Sequence, residues 1–286
     1  MRISFGKAER RRARRAAVLS VVGVVLGLAH HGFAQFTAAE VAQRPRWEAF
    51  LREAAILAQM QLRFEQGVTE PWKLTLRQGD VLASALWKDP SGESGGFWEG
   101  WKYEIAAYEL DKLLGLNMVP PTVEREFSGR AGSCQLWIEG TSLYRDLAAT
   151  RQDLSTFKSD RWLKAGYAAQ FFDNLIGNED RHMGNVLVTA DARAILIDHS
   201  RTFRTSERFV KAIPFSDKNV APDSLMRKLP RALVKRTFAL TEGDLREAVG
   251  DLLTDAELKA VMARLRLLSL EVRRIIADFG EDDVLY

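Results

Sequence analysis

Three polar residues in the middle of the chain have the types and the spacing that phosphoryl transfer requires. Asp180 opens the run Asp180-Arg181-His182-Met183-Gly184-Asn185, and Asp198 follows Asn185 thirteen residues later. The run lies between a helical pattern over 159–176 and an apolar stretch at 186–188, so it is a polar loop pinned at both ends. The apolar stretches 186–188 and 194–197 flank a polar turn at 189–193 and read as a short hairpin. Such a hairpin returns the chain to its starting end, so Asn185 and Asp198 are expected side by side with Asp180 next to them. A carboxylate that orients an attacking hydroxyl and takes its proton suits Asp180. An amide oxygen and a carboxylate suit Asn185 and Asp198 as ligands of Mg²⁺ bridging nucleotide phosphates, because that ion takes few protein oxygens and fills its shell with phosphate and water. A lone Asp/Asn loop can equally be structural, with both side chains capping turns. The second aspartate at this spacing is what favours chemistry.

The elements that must hold these residues are legible in outline. Trp47, Phe50, Leu51, Ala54, Ala55, Leu57, Ala58 and Leu62 recur at helical spacing and predict a helix over 45–66 that stops at Gly67. Stretches 72–76 and 81–87 read as strands joined through Arg77-Gln78-Gly79-Asp80. Ser91–Gly96, rich in glycine and serine, reads as a mobile loop, and 101–116 as a helix with a buried stripe of Ala106, Ala107, Leu110, Leu113 and Leu114. Pro120-Pro121 forces extended chain. Two more strands follow at 122–127 and 133–138, with Glu139-Gly140 as a flexible joint. From about Asp223 the pattern is helical, notably over 255–279. Strands with one helix come first and helices afterwards, which predicts an α+β protein of two lobes: 35–66 an N-terminal helical segment, 67–139 a small β-rich lobe, 140–286 a helical lobe.

The catalytic run resembles that of known enzymes. Asp180 and Asn185 have the Asp-x4-Asn spacing of the protein-kinase catalytic loop, and Leu196-Ile197-Asp198 stands where kinases carry the metal-binding Asp-Phe-Gly. The order Asp-Arg-His resembles the atypical members of the superfamily: the phosphatidylinositol 3-/4-kinases, the HipA-like kinases and the secretory-pathway kinases. The likeness runs from about Leu82 to Phe203. It implies that Lys88, ending Ala85-Leu86-Trp87-Lys88, holds the α- and β-phosphates of ATP, and that Glu104 is its acidic partner, with Glu99 and Glu109 as alternatives. If Lys88 faced elsewhere, Lys73 or Lys102 would replace it. The likeness also implies that Gln135 and Ile138, in a hinge strand over 135–139, border the adenine. There is no G-x-G-x-x-G loop, and Gly79 is its best substitute; His199-Ser200 replaces Phe-Gly, and no Ala-Pro-Glu follows Phe203.

The expected activity is therefore an ATP- and Mg²⁺- or Mn²⁺-dependent transfer to a hydroxyl acceptor, which is a protein, a lipid head group or a small molecule. The alternative is an inactive kinase-like fold that binds nucleotide or a partner. A third pattern, Gly92-Glu93-Ser94-Gly95-Gly96, fits the G-x-S-x-G elbow of serine hydrolases, which needs a strand before it and a helix directly after. Around the loop, Arg181 either positions it or neutralises Asp180 or Asp198. His182 is expected to hydrogen-bond the loop backbone and His199 to pack beneath the site, while Asp173 and Asn178 brace the helix end.

Composition narrows the remaining classes. Seven of the 41 basic residues but only one of the 38 acidic ones lie in residues 1–34, which leaves 34 basic against 37 acidic residues in the remainder. The basic pI of about 9.0 thus belongs to the first 34 residues, and a nucleic-acid partner is not expected. Those residues run from a cationic stretch through apolar Ala16–Ala29 to Gly32-Phe33-Ala34, the layout of a signal peptide cleaved before Gln35. The apolar run is shorter than the roughly 20 residues a membrane-spanning helix needs, so export is expected over anchoring, with a membrane tether as the alternative. Cys134 is the single cysteine and is expected to pack as a small hydrophobe.

Overall fold

The computed structural model describes residues 35–62, 71–94, 96–150, 156–216 and 226–286. Residues 1–34, with the expected signal peptide, lie outside that set, as does Gly67.

Five antiparallel strands form the first sheet, in the order β1 (Ala55–Gln61), β2 (Trp72–Gln78), β3 (Val81–Lys88), β7 (Arg130–Leu136), β6 (Thr122–Phe127). Directly paired residues share a face. Leu74 pairs with Ala85 and Trp87 with Cys134, and with Leu76 and Leu136 they form a hydrophobic layer against Phe50 and Leu51 of α2 (Arg44–Glu53), which follows a short α1 (Ala38–Ala42). Burial pushes the Cys134 thiol up to about 12, as befits an inert packing residue. Alternation along β3 then turns Lys88 to the opposite face, with Leu86 and its partner Gln135.

The 45–66 segment departs from its expectation. The helix ends at Glu53, Ala54 turns to extended backbone, and β1 pairs with β2 from Ala55↔Arg77 to Gln61↔Trp72. Alanine-rich 54–62 fits a helix by period, but an unpaired edge on β2 offers a ladder of backbone hydrogen bonds, and pairing overrides propensity. The Ser91–Gly96 stretch also differs from the expected loop in that its first four residues form a strand. β4 (Ser91–Ser94) and β5 (Phe97–Gly100) pair as a hairpin, Ser91↔Gly100 to Ser94↔Phe97. Ser94 thus sits on a strand that turns into another strand, so the hydrolase elbow, which requires strand–turn–helix, does not form.

Next come α3 (Trp101–Leu114), α4 (Tyr144–Ala149) and α5 (Asp160–Ile176), then α6 (Glu207–Lys211), α7 (Arg231–Phe238), α8 (Glu242–Val249), α9 (Asp255–Phe279) and α10 (Glu281–Val284). Thr254 and Glu257 cap α9 reciprocally, which fixes its start. Leu258, Val261, Leu265, Leu268, Val272 and Ile275 of α9 pack on Phe171, Phe172 and Leu175 of α5 and on α3 in the larger core. Arg264, fully buried on α9, donates from Nε to Leu175 O (2.9 Å) and from Nη1 to Arg204 O (2.7 Å), so it ties α5 to the segment beyond Asp198. A small sheet of β8 (Thr141–Leu143), β9 (Val186–Thr189) and β10 (Ala194–Leu196) carries the loop residues. A β-rich lobe thus sits with a helical one.

Candidate active site

The loop from Asp180 to Asn185 is built on a buried carboxylate. Asp173, near the end of α5 and fully buried, accepts from Arg181 Nε (3.0 Å), Arg181 Nη2 (3.0 Å) and Asn178 Nδ2 (2.8 Å). Asn178 Oδ1 accepts from the Asp180 amide at 3.0 Å, which fixes the backbone under the Asp180 side chain. The guanidinium of Arg181 also donates to Asn185 O and Ile197 O, both at 2.7 Å. Arg181 therefore neutralises Asp173, not Asp180 or Asp198, and staples the two strands of the hairpin at the point where the polar residues emerge. His182 Nδ1 accepts from Gly184 N at 3.0 Å, the expected backbone contact.

Asn185 and Asp198 flank the open end of the β9–β10 hairpin, where Ile197 N donates to Asn185 O. The Asn185 amide nitrogen donates to Asp180 O at 2.8 Å, leaving its side-chain oxygen as the acceptor. Asp198 adopts a left-handed φ of 61°, a conformation an aspartate tolerates better than bulky residues, and its side chain remains 39% exposed. Among the described residues no group of three or more His, Cys, Asp or Glu could hold a metal. One amide oxygen and one carboxylate at neighbouring backbone positions fit a hard dication whose shell is completed by phosphates and water.

Lys88 brings the lobes together. Its ammonium is 2.8 Å from Glu104 Oε1 on α3 and 2.8 Å from Asp198 Oδ1. Burial works against the charge of Lys88, but Asp198 and Glu104 outweigh it, so its pKa is raised. Burial likewise disfavours ionised Glu104, and the Lys88 ammonium with the contribution of His199 overcomes this, so its pKa is lowered. Glu104 Oε2 also accepts from His199 N at 2.9 Å. His199 is fully buried; Arg181 Nη2 lies 2.9 Å from its Nε2 and can only donate, so the ring proton sits on Nδ1, 3.7 Å from Glu104 Oε2. The alternatives fall elsewhere. Lys73 lies over the Trp137 ring and Lys102 beside Asp251 O, while Glu109 pairs with Lys112 and Glu99 with Arg201.

Gln135 faces the Lys88 side of the sheet and donates to Thr122 Oγ1 at 2.9 Å; Ile138 packs its side chain on the hydrophobic layer. A cavity of about 490 Å³ borders the hinge residues Leu136–Glu139 and is closed by Phe36, Arg44 and Trp47, away from Lys88 and Asp198. Gly79 is misplaced by the sequence reading. It turns between β2 and β3 at φ 58°, at the end of β3 opposite Lys88, roughly 23 Å of strand away at about 3.3 Å per residue. The Lys88 end of β3 is level with the end of β1 and the start of β2, since Gln61 pairs with Trp72 and Trp72 with Trp87.

One residue was missed from sequence, Arg201, as was its pairing with Glu99, a buried acid at the end of β5 that was expected only as an alternative partner of Lys88: Arg201 Nε donates to Glu99 Oε1 at 2.7 Å, and its Nη1 stands 3.6 Å from Asp180 Oδ2. Nothing in their local pattern marks them, because their partners are far away in sequence.

A lysine at the end of the third strand, paired to a glutamate on the next helix and facing Asp and Asn from a helical lobe, is the protein-kinase-like arrangement. The fold is shared with solved kinases. Solved structures align over most of the chain: hydra Fam20 with sugar (TM-score 0.62, 16% identity, 89% of this chain and 95% of that one). The Golgi casein kinase aligns with a TM-score of 0.60 at 15% identity, over 85% of this chain and 79% of that one. The Golgi casein kinase with Mn/ADP bound aligns at 0.59 and 16% identity, over 86% and 79%. At these identities the likeness is one of fold. No family profile and no curated protein sequence matches the chain.

Proposed function

We propose that the chain is a phosphotransferase that uses ATP and Mg²⁺ or Mn²⁺ to phosphorylate a hydroxyl acceptor. The observation that carries this reading is Lys88 bridging Glu104 and Asp198, each at 2.8 Å. A buried lysine held by two carboxylates from separate elements is placed for phosphate, not for stability alone. Lys88 holds the nucleotide phosphates and Glu104 orients Lys88. Asn185 and Asp198 hold the divalent ion, which when bound neutralises charge on the transferred group. Asp180 takes the acceptor proton as the acceptor oxygen bonds to phosphorus and the bond to the leaving diphosphate breaks. Gln135 and the backbone near Ile138 border the base. Residues 67–139, completed by β1 from the segment before them, and 140–286 act as its two lobes, and 1–34 export it; a Golgi kinase among the solved neighbours is compatible with work in a secretory compartment.

The test is incubation of the chain with labelled ATP and Mn²⁺ or Mg²⁺, with protein, lipid and small-molecule acceptors. Label on an acceptor, lost in Asp180→Ala, supports the enzyme. The inactive-module reading draws on the position of Gly79, which leaves no glycine from the β2–β3 turn to cover phosphates. Binding of Mn²⁺–ADP together with no transfer from ATP to any acceptor or to water would favour it.

A further inference from the structure

Arg201 lies three residues beyond Asp198, in a segment tied down on every side. Ser200 O accepts from Gly100 N (2.9 Å), Thr202 Oγ1 donates to His199 O (2.7 Å), and Phe203 N donates to Ile176 O (2.7 Å). The ring of Phe203 is buried beside Tyr103. The Arg201 backbone is thereby fixed, and so is one edge of its guanidinium, whose Nε and Nη2 lie 2.7 and 2.5 Å from Glu99 Oε1. Glu99 is itself buried. The other edge points at the site, with Nη1 3.6 Å from Asp180 Oδ2, too long for a direct hydrogen bond. Partial burial opposes the charge of Arg201, and Glu99, Asp180 and Asp198 together outweigh it.

The charge balance of the site asks for such a cation. Lys88 is shared between Glu104 and Asp198, while Asp180 is a carboxylate that must approach an acceptor attacking a phosphoryl group of the same sign. A planar fork anchored on one edge is pre-organised to meet phosphoryl oxygens with the other. We propose that Arg201 is a catalytic phosphate-binding residue, its Nη1 edge turning from Asp180 to the transferred phosphoryl group while Glu99 holds the opposite edge. In that step phosphorus exchanges its bond to the leaving ADP oxygen for one to the acceptor oxygen. The acceptor proton passes to Asp180, and Arg201 keeps its own protons throughout. This assignment rests on the phosphotransferase reading and adds to it the group that stabilises charge between base and metal.

The experiment is calorimetric binding of Mn²⁺–ADP, alone and with aluminium fluoride as a phosphoryl mimic, to the full chain and to Arg201→Met, Arg201→Lys and Glu99→Gln. The wild type should bind the fluoride complex at least about 10²-fold tighter than ADP alone, as transition-state mimics do. Arg201→Met should lose most of that gain while its affinity for Mn²⁺–ADP moves by no more than about threefold, since the contact is made only to the transferred group. Arg201→Lys should recover part of the gain. Glu99→Gln, which keeps the guanidinium but loosens its anchor, should lose an intermediate share and guards against misfolding of the arginine variants; melting curves check both. If Arg201→Met keeps the full gain, or weakens ADP and the mimic equally, Arg201 only braces the loop and the assignment is wrong. A wild type that binds Mn²⁺–ADP without any gain from fluoride also overturns it. A wild type that does not bind Mn²⁺–ADP at all overturns the phosphotransferase reading itself, and Arg201 with it.

Discussion

Lys88 and Asp198 are 110 residues apart in the chain and their charged atoms are 2.8 Å apart in the fold. One ends a strand of the five-stranded sheet and the other ends a hairpin of the helical lobe, so their contact fixes how the two halves of the site face each other. In the proposed function Asp198 then has two duties, to hold Lys88 and to bind metal.

That double duty separates the aspartates. Asp198→Ala removes the metal carboxylate and one partner of a buried lysine, so Mn²⁺–nucleotide binding and transfer should be lost together. Asp180→Ala touches neither; nucleotide affinity should hold while turnover falls by about 10²–10⁴-fold, the range for a lost general base. Calorimetry and transfer assays on the same preparations distinguish the two patterns, and equal loss of binding in both variants would contradict it.

The buried pair sets a pH window for stability. Glu104 has its pKa lowered from 4.5 on folding, so its contribution is complete above that value and disappears as pH falls through the lower folded one. Lys88 is raised from 10.5, so its contribution is complete below that value and disappears only as pH rises beyond it. Between about pH 5 and 10 the pair should add a constant amount of stability. Glu104→Gln should lower the melting temperature across that plateau and flatten the acid limb below it; an acid limb as steep as the wild type's would place the acid sensitivity in other carboxylates.

Gly132 lies across from the end of β3, and a Cβ there would stand 2.5 Å from the Lys88 carbonyl oxygen and 2.7 Å from the Trp87 ring. Both neighbours are held, one by the ladder and the other by the hydrophobic layer. Gly132→Ala should therefore cost about 1–3 kcal/mol, the usual toll of overpacking, and weaken Mn²⁺–ADP binding by displacing Lys88. Denaturant unfolding measures the first effect and calorimetry the second. An alanine tolerated without either would mean that the strand end yields freely.

Expressed in a bacterium, the chain should lose its first ~34 residues, as a signal peptide does. Mass spectrometry of the N-terminus decides it, because an intact chain recovered with membranes would mark a tether instead.

Much of the site could be read without the fold, for a physical reason. Asp180, Asn185 and Asp198 are set by a loop and a hairpin, and the geometry of a hairpin follows from the spacing of apolar stretches around a turn. Strands 72–78 and 81–88, helix 101–114 and helices 160–176 and 255–279 are similarly local, because their apolar periods are strong. What eluded the sequence depended on partners. Residues 55–61 have a helical period but form a strand, because the free edge of β2 supplies hydrogen bonds that no local pattern announces. Gly79 looked like the phosphate cover, although the length and direction of β3 put its turn at the end of the strand opposite Lys88. Arg181 positions the loop, the first of its two expected roles, but its charge answers Asp173 and not Asp180 or Asp198, because a buried carboxylate without a cation would cost more than an exposed one. Glu99 and Arg201 meet across 102 residues, and only tertiary packing could bring that pair to the edge of Asp180.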